Sequence, residues 1–346
     1  MSKIAIIILN WNGYIDTVEC LDSLMKNDCS IFDIIVVDNG STDESLERIR
    51  AWFQDRRLTL NNVLTSKIPS TFSEIDTLSH ETVQEHGAQT YTLITSDKNL
   101  GFSAGNNLGM RFAIRRPYDS VLLLNNDTTL AEDAIKTIHD AMISNPLWGA
   151  CVPKIKYYDT PDTIWNAGGF LRPLGGRKYL YGDAVDADTY TGTRRITFAT
   201  GCALAIRVQL VKEFGGLCED FFFGEEDYEL SMRYFKKKIL MYTVLDAVVY
   251  HKVGISRTKL LDQNTLAGTF THHLNRLIHM KRYMSTLQWM VWRFGSLVYI
   301  FFLLVVKKKV PISRKLVKYF RELIKLSTQH SGVDQSLFLK SKELLK

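Results

Sequence analysis

The sequence predicts an α/β protein built on a mostly parallel sheet with helices on both faces, followed by a helical, basic C-terminal region. Three observations predict it. The first 130 residues alternate short apolar runs with amphipathic segments in βαβα order. The run Val121-Leu122-Leu123-Leu124 is continuous rather than alternating, the pattern of a strand buried on both faces. Beyond about residue 260 the pattern turns helical, and from Lys307 to Lys346 eleven Lys/Arg stand against only Glu322, Asp334 and Glu343.

The elements follow in order. Ile4–Leu9 reads as a buried strand. Ile15, Val18, Leu21, Leu24 and Met25 fall on one helical face, so a helix is expected over Tyr14–Met25. Ile34–Val37 is the next strand and runs into Asp38. Ser41-Thr42-Asp43-Glu44 has capping-box spacing and predicts a helix over Ser45–Phe53. Residues 65–90 are polar, rich in Ser and Thr and without strong periodicity, which marks a surface insertion. Tyr91–Thr95 and Val121–Leu124 are the following strands, and Asp133–Ile143 a helix stopped by Asn145-Pro146. Glycine and tyrosine then become frequent, as at Ala167-Gly168-Gly169 and Pro173-Leu174-Gly175-Gly176, and predict loops and short strands around a binding surface. Ile196–Ala199 and Ala203–Ile206 are short apolar runs about Thr200-Gly201-Cys202. Glu226–Phe235 is a helix with acids at its start. Ile239–Val244 and Ala247–Tyr250 look like two closing strands, and His251 follows directly.

A chain of 346 residues with 46% hydrophobic and 23% charged residues can bury a large core as one domain or two. Five cysteines without a Cys-x-x-Cys pair argue against a disulfide framework or zinc ribbon and for a reducing compartment. The N-terminal strand is too short for a signal peptide and lacks a cleavage-site pattern. The basic block after Lys307 suggests an anionic partner, a membrane surface or nucleic acid. Ahead of it, Trp289–Val306 is almost wholly apolar and is broken by Arg293. Its uninterrupted part, Phe294–Val306, is shorter than the roughly 20 residues a bilayer span needs. It reads as an interfacial or buried helix with a basic anchor, the alternatives being a span with Arg293 snorkelling or a helical dimer interface.

If the sheet is parallel, the chemistry gathers at one edge. Ligands of such sheets sit outside the carboxyl ends of the strands, where Asn10, Asp38 and Asn125-Asn126-Asp127 fall. Asp127 suits a hard divalent cation on a substrate diphosphate, or Asn-Asn-Asp-Thr is a turn leading into the next helix. Asp38 is placed to accept an N–H from a nucleobase, or is a turn residue. Asn99 opens a loop holding Gly101, Gly105 and Gly109, which either brings backbone and helix N–H groups to an anion or lets the helix pack closely. It has neither the Walker nor the dinucleotide glycine pattern. Phe221-Phe222-Phe223-Gly224-Glu225-Glu226-Asp227-Tyr228-Glu229 sets carboxylates beside aromatics. One of them would serve as a general base towards a hydroxyl, or they complement a helix dipole. His251 would complete a metal site with Asp127 or be structural.

Taken together, Ile-Leu-Asn-Trp-Asn at 8–12, Val-Val-Asp-Asn-Gly-Ser at 36–41, Asn-Leu-Gly-Phe-Ser-Ala-Gly-Asn-Asn at 99–107, Leu-Leu-Asn-Asn-Asp-Thr at 123–128 and Gly-Glu-Glu-Asp-Tyr-Glu-Leu at 224–230 followed by His251 resemble the family 2 glycosyltransferases, in particular the rhamnosyltransferase-like branch. The resemblance covers about residues 3–260. It implies a GT-A fold and inverting transfer from a nucleotide sugar, with dTDP-rhamnose as the leading donor and UDP-sugars as the alternative. By position it implies donor contacts from Asn10, Asn12, Asp38, Asn99, Gly101, Asn106, Asn125 and Glu226. Asp127 and His251 would hold Mg²⁺ or Mn²⁺, and Asp227 would be the general base. Residues 1–260 would form the transferase domain and 261–346 a helical region that is membrane-associated or dimerising.

The implied acceptor is a glycan or lipid-linked saccharide at the cytoplasmic face of a bacterial plasma membrane, with nucleic acid excluded as a partner. One departure is that the family's Asp-x-Asp is Asn125-Asn126-Asp127 here, with a single carboxylate, which implies weaker metal binding. The same departure leaves a non-catalytic nucleotide-sugar-binding scaffold as the competing class. A sugar nucleotidyltransferase ranks below both, because Asn10-Trp11-Asn12-Gly13-Tyr14 offers no cation to a triphosphate.

Overall fold

The computed structural model describes residues 2–65, 68, 70–72, 89–253 and 266–343, so most of the insertion read at 65–90 lies outside the described residues. Contacts divide the chain into two compact units. Unit 1 comprises residues 1–171, 177–218 and 226–253, and unit 2 comprises residues 172–176, 219–225 and 254–346.

The apolar runs of unit 1 form the middle of one mixed sheet. Strands β1 (Ile4–Asn10), β2 (Phe32–Asp38), β3 (Leu60–Leu64), β4 (Tyr91–Thr95) and β5 (Ser120–Asn125) are parallel, in the spatial order β5-β1-β2-β4-β3. Beyond β5 come β12 (Ala203–Arg207), antiparallel to it, then β7 (Trp148–Tyr157), β13 (Leu240–His251) and β11 (Thr193–Ile196). β7 and β13 run parallel. Short β6 (Thr128–Leu130) and β8 (Ile164–Asn166) pair with β13 and β7. A separate ribbon joins β9 (Gly169–Leu171) to β10 (Arg177–Tyr179).

Because β1, β2 and β5 are buried on both faces, each strand feeds two cores, one through its even and one through its odd positions. Ile4, Ile6, Ile8, Ile34, Val36, Leu122 and Leu124 pack beneath α1 (Tyr14–Leu24), α2 (Ser45–Asp55) and α4 (Ala134–Ser144). Ala5, Ile7, Ile35, Val37, Val121 and Leu123 face α3 (Phe102–Ala113), α5 (Val208–Phe214) and α6 (Glu226–Lys236). The two helical glycines of α3 serve this packing. A Cβ on Gly105 would come within 2.5 Å of Leu9, and one on Gly109 within 2.5 Å of Ile7.

Two local expectations need correction, and strands β3 and β7 are among those the sequence pattern did not mark. The capping box before α2 does not form. Asp43 accepts the Ser45 N–H at 3.0 Å, while Ser41 turns back to Asp38 and Glu44 receives Tyr14 and Arg48. The two closing strands are one, β13, with an irregularity between Val244 and Val248. β3 carries the polar pair Asn61-Asn62 at the sheet edge and so lacks an apolar run. β7 contains Pro153, which a strand tolerates where a neighbour is absent; on that side β12 meets β7 only at Ala150 and Cys151.

Unit 2 is helical, with α7 (Leu266–Lys281), α8 (Thr286–Phe302), α9 (Arg314–Gln329) and α10 (Gln335–Glu343). Its most constrained point is Glu225, a non-glycine residue held at a φ of 83° next to Gly224, also at 83°. Its carboxylate is buried and ion-paired with Arg276, and His279 Nδ1 lies 3.3 Å away. Burial alone would raise its pKa, but Arg276 and His279 outweigh it and hold the carboxyl well below the usual range. A depressed carboxyl pKa contributes stability that is complete above the unfolded value of about 4.5 and is lost as pH falls below it. Glu225→Gln should therefore destabilise the protein at neutral pH by about 3–5 kcal/mol, the usual cost of breaking a buried ion pair. It should also flatten the acid limb of stability below pH 4.5, read by denaturant unfolding; an unchanged acid limb would contradict the assignment.

Candidate functional site at the carboxyl edge of the sheet

Register brings the first part of the site together. Asn10 is level with Asp38 across β1 and β2, and Leu9 is level with Asn125 across β1 and β5. Asp38 is 2% exposed. Asn10 Nδ2 donates to its Oδ1 at 2.8 Å, the Ser41 hydroxyl donates to the same oxygen at 2.6 Å, and the Ser41 N–H reaches Oδ2 at 3.2 Å. Asn10 is itself wholly buried and accepts from Thr17 Oγ1 at 2.8 Å. It acts on the edge through Asp38.

Asn12, at a φ of 50°, accepts the Thr42 N–H at 2.8 Å, and its own N–H meets Ser41 Oγ at 3.0 Å. It thereby ties the loop after β1 to the loop after β2.

The loop into α3 is fixed in the same manner. Asn39 accepts the Leu100 N–H at 3.0 Å and donates to Asn99 Oδ1 and to the Gly101 carbonyl, both at 3.1 Å. Asn99 in turn accepts the Gly101 N–H at 2.8 Å. Gly40 and Gly101 have φ of 70° and 86°, and a Cβ on Gly40 would lie 2.3 Å from the backbone of Lys98, so only glycine lets these loops meet. Asn106 is 2% exposed and donates to the Phe102 carbonyl one turn back, inside its own helix.

The second part lies past β5. Asn125 is half-buried, and its N–H meets the Cys202 carbonyl at 2.8 Å. Asn126 donates to Thr17 Oγ1 at 3.0 Å. Asp127 is 3% exposed and lies beside His251 at the end of β13, Oδ1 to Nε2 3.2 Å. The Trp165 ring packs edge-on to the imidazole at 4.6 Å, and the thiol of Cys202 adjoins it. Burial works against a charged His251, but in the absence of a cation Cys202 and the Asp127 carboxylate more than reverse it and push the pKa up to about 10, so a metal bound here would have to displace that proton.

Lys252 anchors the strand end. Its N–H donates to the Asp127 carbonyl at 3.0 Å, and its ammonium pairs with Asp16 and Glu19 on α1.

Asp127 and His251 fit a divalent cation. Asp127 Oδ1 and His251 Nδ1 are buried, and neither makes a hydrogen bond of ordinary geometry. One hard oxygen and one imidazole nitrogen suit Mn²⁺ or Mg²⁺ whose other positions are filled by phosphate and water. Among the described residues no set of three or more His, Cys, Asp or Glu gathers as a complete protein cage.

The third part is the start of α6. Ser231 Oγ donates to the Asp227 carbonyl at 2.7 Å and accepts the Ala199 N–H at 3.0 Å, which clamps this helix turn to the strand connection. Glu226 and Asp227 occupy the first helical turn, where the macrodipole favours negative charge. The Asp227 side chain is 20% exposed, and Arg177 Nη1 lies 3.7 Å from it. That guanidinium sits over the Phe198 and Tyr179 rings, at 4.9 and 5.4 Å.

Gly201 links the parts. A Cβ there would be 3.8 Å from Asp227 Cβ and 3.6 Å from Phe102 at the start of α3, and the next residue, Cys202, touches both Asn125 and His251. Asp38, Asp127 with His251, and Asp227 thus stand along one edge of unit 1. Ser41, Asn39, Cys202 and Arg177 were not anticipated from the sequence. Asn39-Gly40-Ser41 is a turn signal in its own right, whereas nothing local marks Arg177 or Cys202.

Comparison with known proteins agrees with this architecture. The S. aureus protein TarS, residues 1–349 in complex with UDP-GlcNAc, superposes with a TM-score of 0.55 at 12% identity, over 94% of this chain and 81% of that one. GalNAc-T7 with UDP, GalNAc and Mn²⁺ superposes with a TM-score of 0.53 at 14% identity, over 72% of this chain and 44% of that one. The shared architecture is the GT-A fold. The low-salt glycan biosynthesis hexosyltransferase Agl10 of Haloferax volcanii is 23% identical over 270 residues, 75% of this chain and 70% of that protein. The model of the glycosyltransferase like family 2 matches residues 2–271, and the chain belongs to that family.

Proposed function

We propose that the protein is an inverting, divalent-metal-dependent glycosyltransferase that moves a sugar from a nucleotide donor to a saccharide acceptor, free or lipid-linked. The observation that carries this reading is the alignment of three differently prepared acidic positions along one sheet edge. Asp38 is locked by neutral donors, Asp127 sets its buried Oδ1 3.2 Å from an imidazole without an aligned hydrogen bond, and Asp227 is partly open beside an arginine.

Each position has a separate task. Asp38, held by Asn10 and Ser41, presents a fixed carboxylate to an N–H of the nucleobase, between the loops that Asn12 and Asn99 organise. Asn125, level with Leu9, faces the ribose. A cation held by Asp127 and His251 would supply positive charge against the diphosphate as it leaves. Gly101 leaves the first N–H groups of α3 free of bulk beside the same phosphates. Asp227 takes the proton of the acceptor hydroxyl as that oxygen attacks the anomeric carbon. A carbon–oxygen bond forms on one face of the sugar while the bond to the diphosphate breaks on the other. Arg177, 3.7 Å from Asp227, helps to position the carboxylate that a general base needs. The motif pattern makes dTDP-rhamnose the first donor to try, with UDP-hexoses as the alternative.

Labelled dTDP-rhamnose, UDP-glucose, UDP-galactose and UDP-N-acetylglucosamine, each incubated with the protein and Mn²⁺, test the reading. One donor should be hydrolysed slowly or transferred. Binding of a donor with no turnover on any acceptor would favour a non-catalytic sugar-nucleotide binder instead.

Asp227→Asn should keep donor binding and lose about 10²–10⁴-fold in kcat, the range for removing a general base. Turnover near that of the wild type would remove Asp227 from the role.

A further inference from the structure

Helix α8 and the wide turn Leu303–Lys307 that continues it form a mostly apolar rod of 22 residues. Among the described residues of unit 2 only one side of it is packed. Trp289, Ile300 and Leu304 are buried along that side, and the Trp289 indole donates to the Leu277 carbonyl of α7 at 2.8 Å. Spacing of three and four residues puts Leu287, Val291, Phe294, Val298 and Phe302 on the opposite side, and all are between 40% and 71% exposed. A contiguous exposed apolar stripe of this kind marks a contact surface.

Charge identifies what the stripe meets. From Thr286 to Arg321 the sequence has eight Lys/Arg and no Asp or Glu. Lys307 ends the rod, Lys308 and Lys309 follow it, and all three are exposed, as are Arg314, Lys315 and Lys318 on α9. A second copy of the chain joined through this face by two-fold symmetry would bring two such basic sets together. Anionic lipid head groups complement them, and hydrocarbon just below the head groups complements the stripe.

Arg293 decides between lying on a bilayer and crossing it. Its guanidinium stacks on Trp289 at 4.2 Å and donates to Thr328 Oγ1 of α9 at 2.6 Å. The charge that interrupts the apolar run is spent inside unit 2, on the packed side of the helix. The rod is long enough to cross, but a spanning helix would have to leave the partners that bury this side.

We propose that the exposed stripe of α8, with the lysines that follow it, is a docking surface for an anionic lipid bilayer, on which the helix lies in the plane of the interface. This does not depend on the catalytic reading, and its test needs neither donor nor acceptor.

The full chain is sedimented with phosphatidylcholine vesicles, with and without phosphatidylglycerol, at low and high salt. Binding should require the anionic lipid and weaken with salt. Phe294→Gln combined with Val298→Gln should lower binding at least tenfold, and Lys307→Gln, Lys308→Gln and Lys309→Gln together about a hundredfold. Since these side chains are exposed, thermal unfolding should stay as in the wild type. Absence of binding to anionic vesicles at low salt, or variants that bind as well as the wild type, would overturn the proposal. A two-chain mass that the Phe294/Val298 variant returns to one, without vesicle binding, would assign the face to a second copy. Bound protein that resists both high salt and alkaline carbonate would show a span and overturn the in-plane placement.

Discussion

Three parallel strands buried on both faces end level with one another, and the polar residues that end them must be satisfied without bulk water. The rest of the site follows from this constraint. Strands lie about 4.8 Å apart, so matched register sets Asn10 beside Asp38 and carries the chain past Asn125 within about 10 Å of both. Buried polar groups so placed need partners. Asn10 and Ser41 supply them for Asp38, Thr17 does so for Asn10, and Asn39 and Asn99 do so for the loop into α3. The outcome is an edge whose backbone is fixed by side-chain hydrogen bonds.

Asp127 and His251 depart from that pattern. They come from the ends of different strands and lie 3.2 Å apart in a buried setting, and Asp127 Oδ1 and His251 Nδ1 make no aligned hydrogen bond. Lys252, one residue on, ties the end of β13 to α1 and adds a backbone contact to Asp127, so the pair is held from both sides. An unmatched buried acceptor costs free energy, and a ligand that supplies positive charge there would recover it. Arg177 and Asp227 are arranged differently, partly open and 3.7 Å apart, as the proposed proton transfer from successive acceptors would require.

Much of this was legible in the sequence because it follows from local pattern. The continuous run before Asn125 gave a buried strand, and a parallel sheet then gave the edge on which Asp38 and Asp127 lie. His251 was legible as the residue directly after an apolar strand. What escaped depends on pairing at a distance. β7 was obscured by Gly149, Pro153 and Lys154, whose presence makes sense only once β12 is seen to stop pairing at Cys151 and Lys154 to meet Asp186 at 2.9 Å. Arg177 and Cys202 are marked by no spacing and reach the site only through the fold. The glycines of α3 left two readings open. Gly105 and Gly109 prove to be packing positions, while Gly101 takes the left-handed turn that starts the helix.

The most direct test of the central claim is an anomalous difference map from crystals grown with Mn²⁺ and a nucleoside diphosphate. The account predicts a manganese peak between Asp127 and His251, phosphate oxygens on its open side, and the base against Asp38. A nucleotide bound at another surface, or manganese away from Asp127, would contradict it.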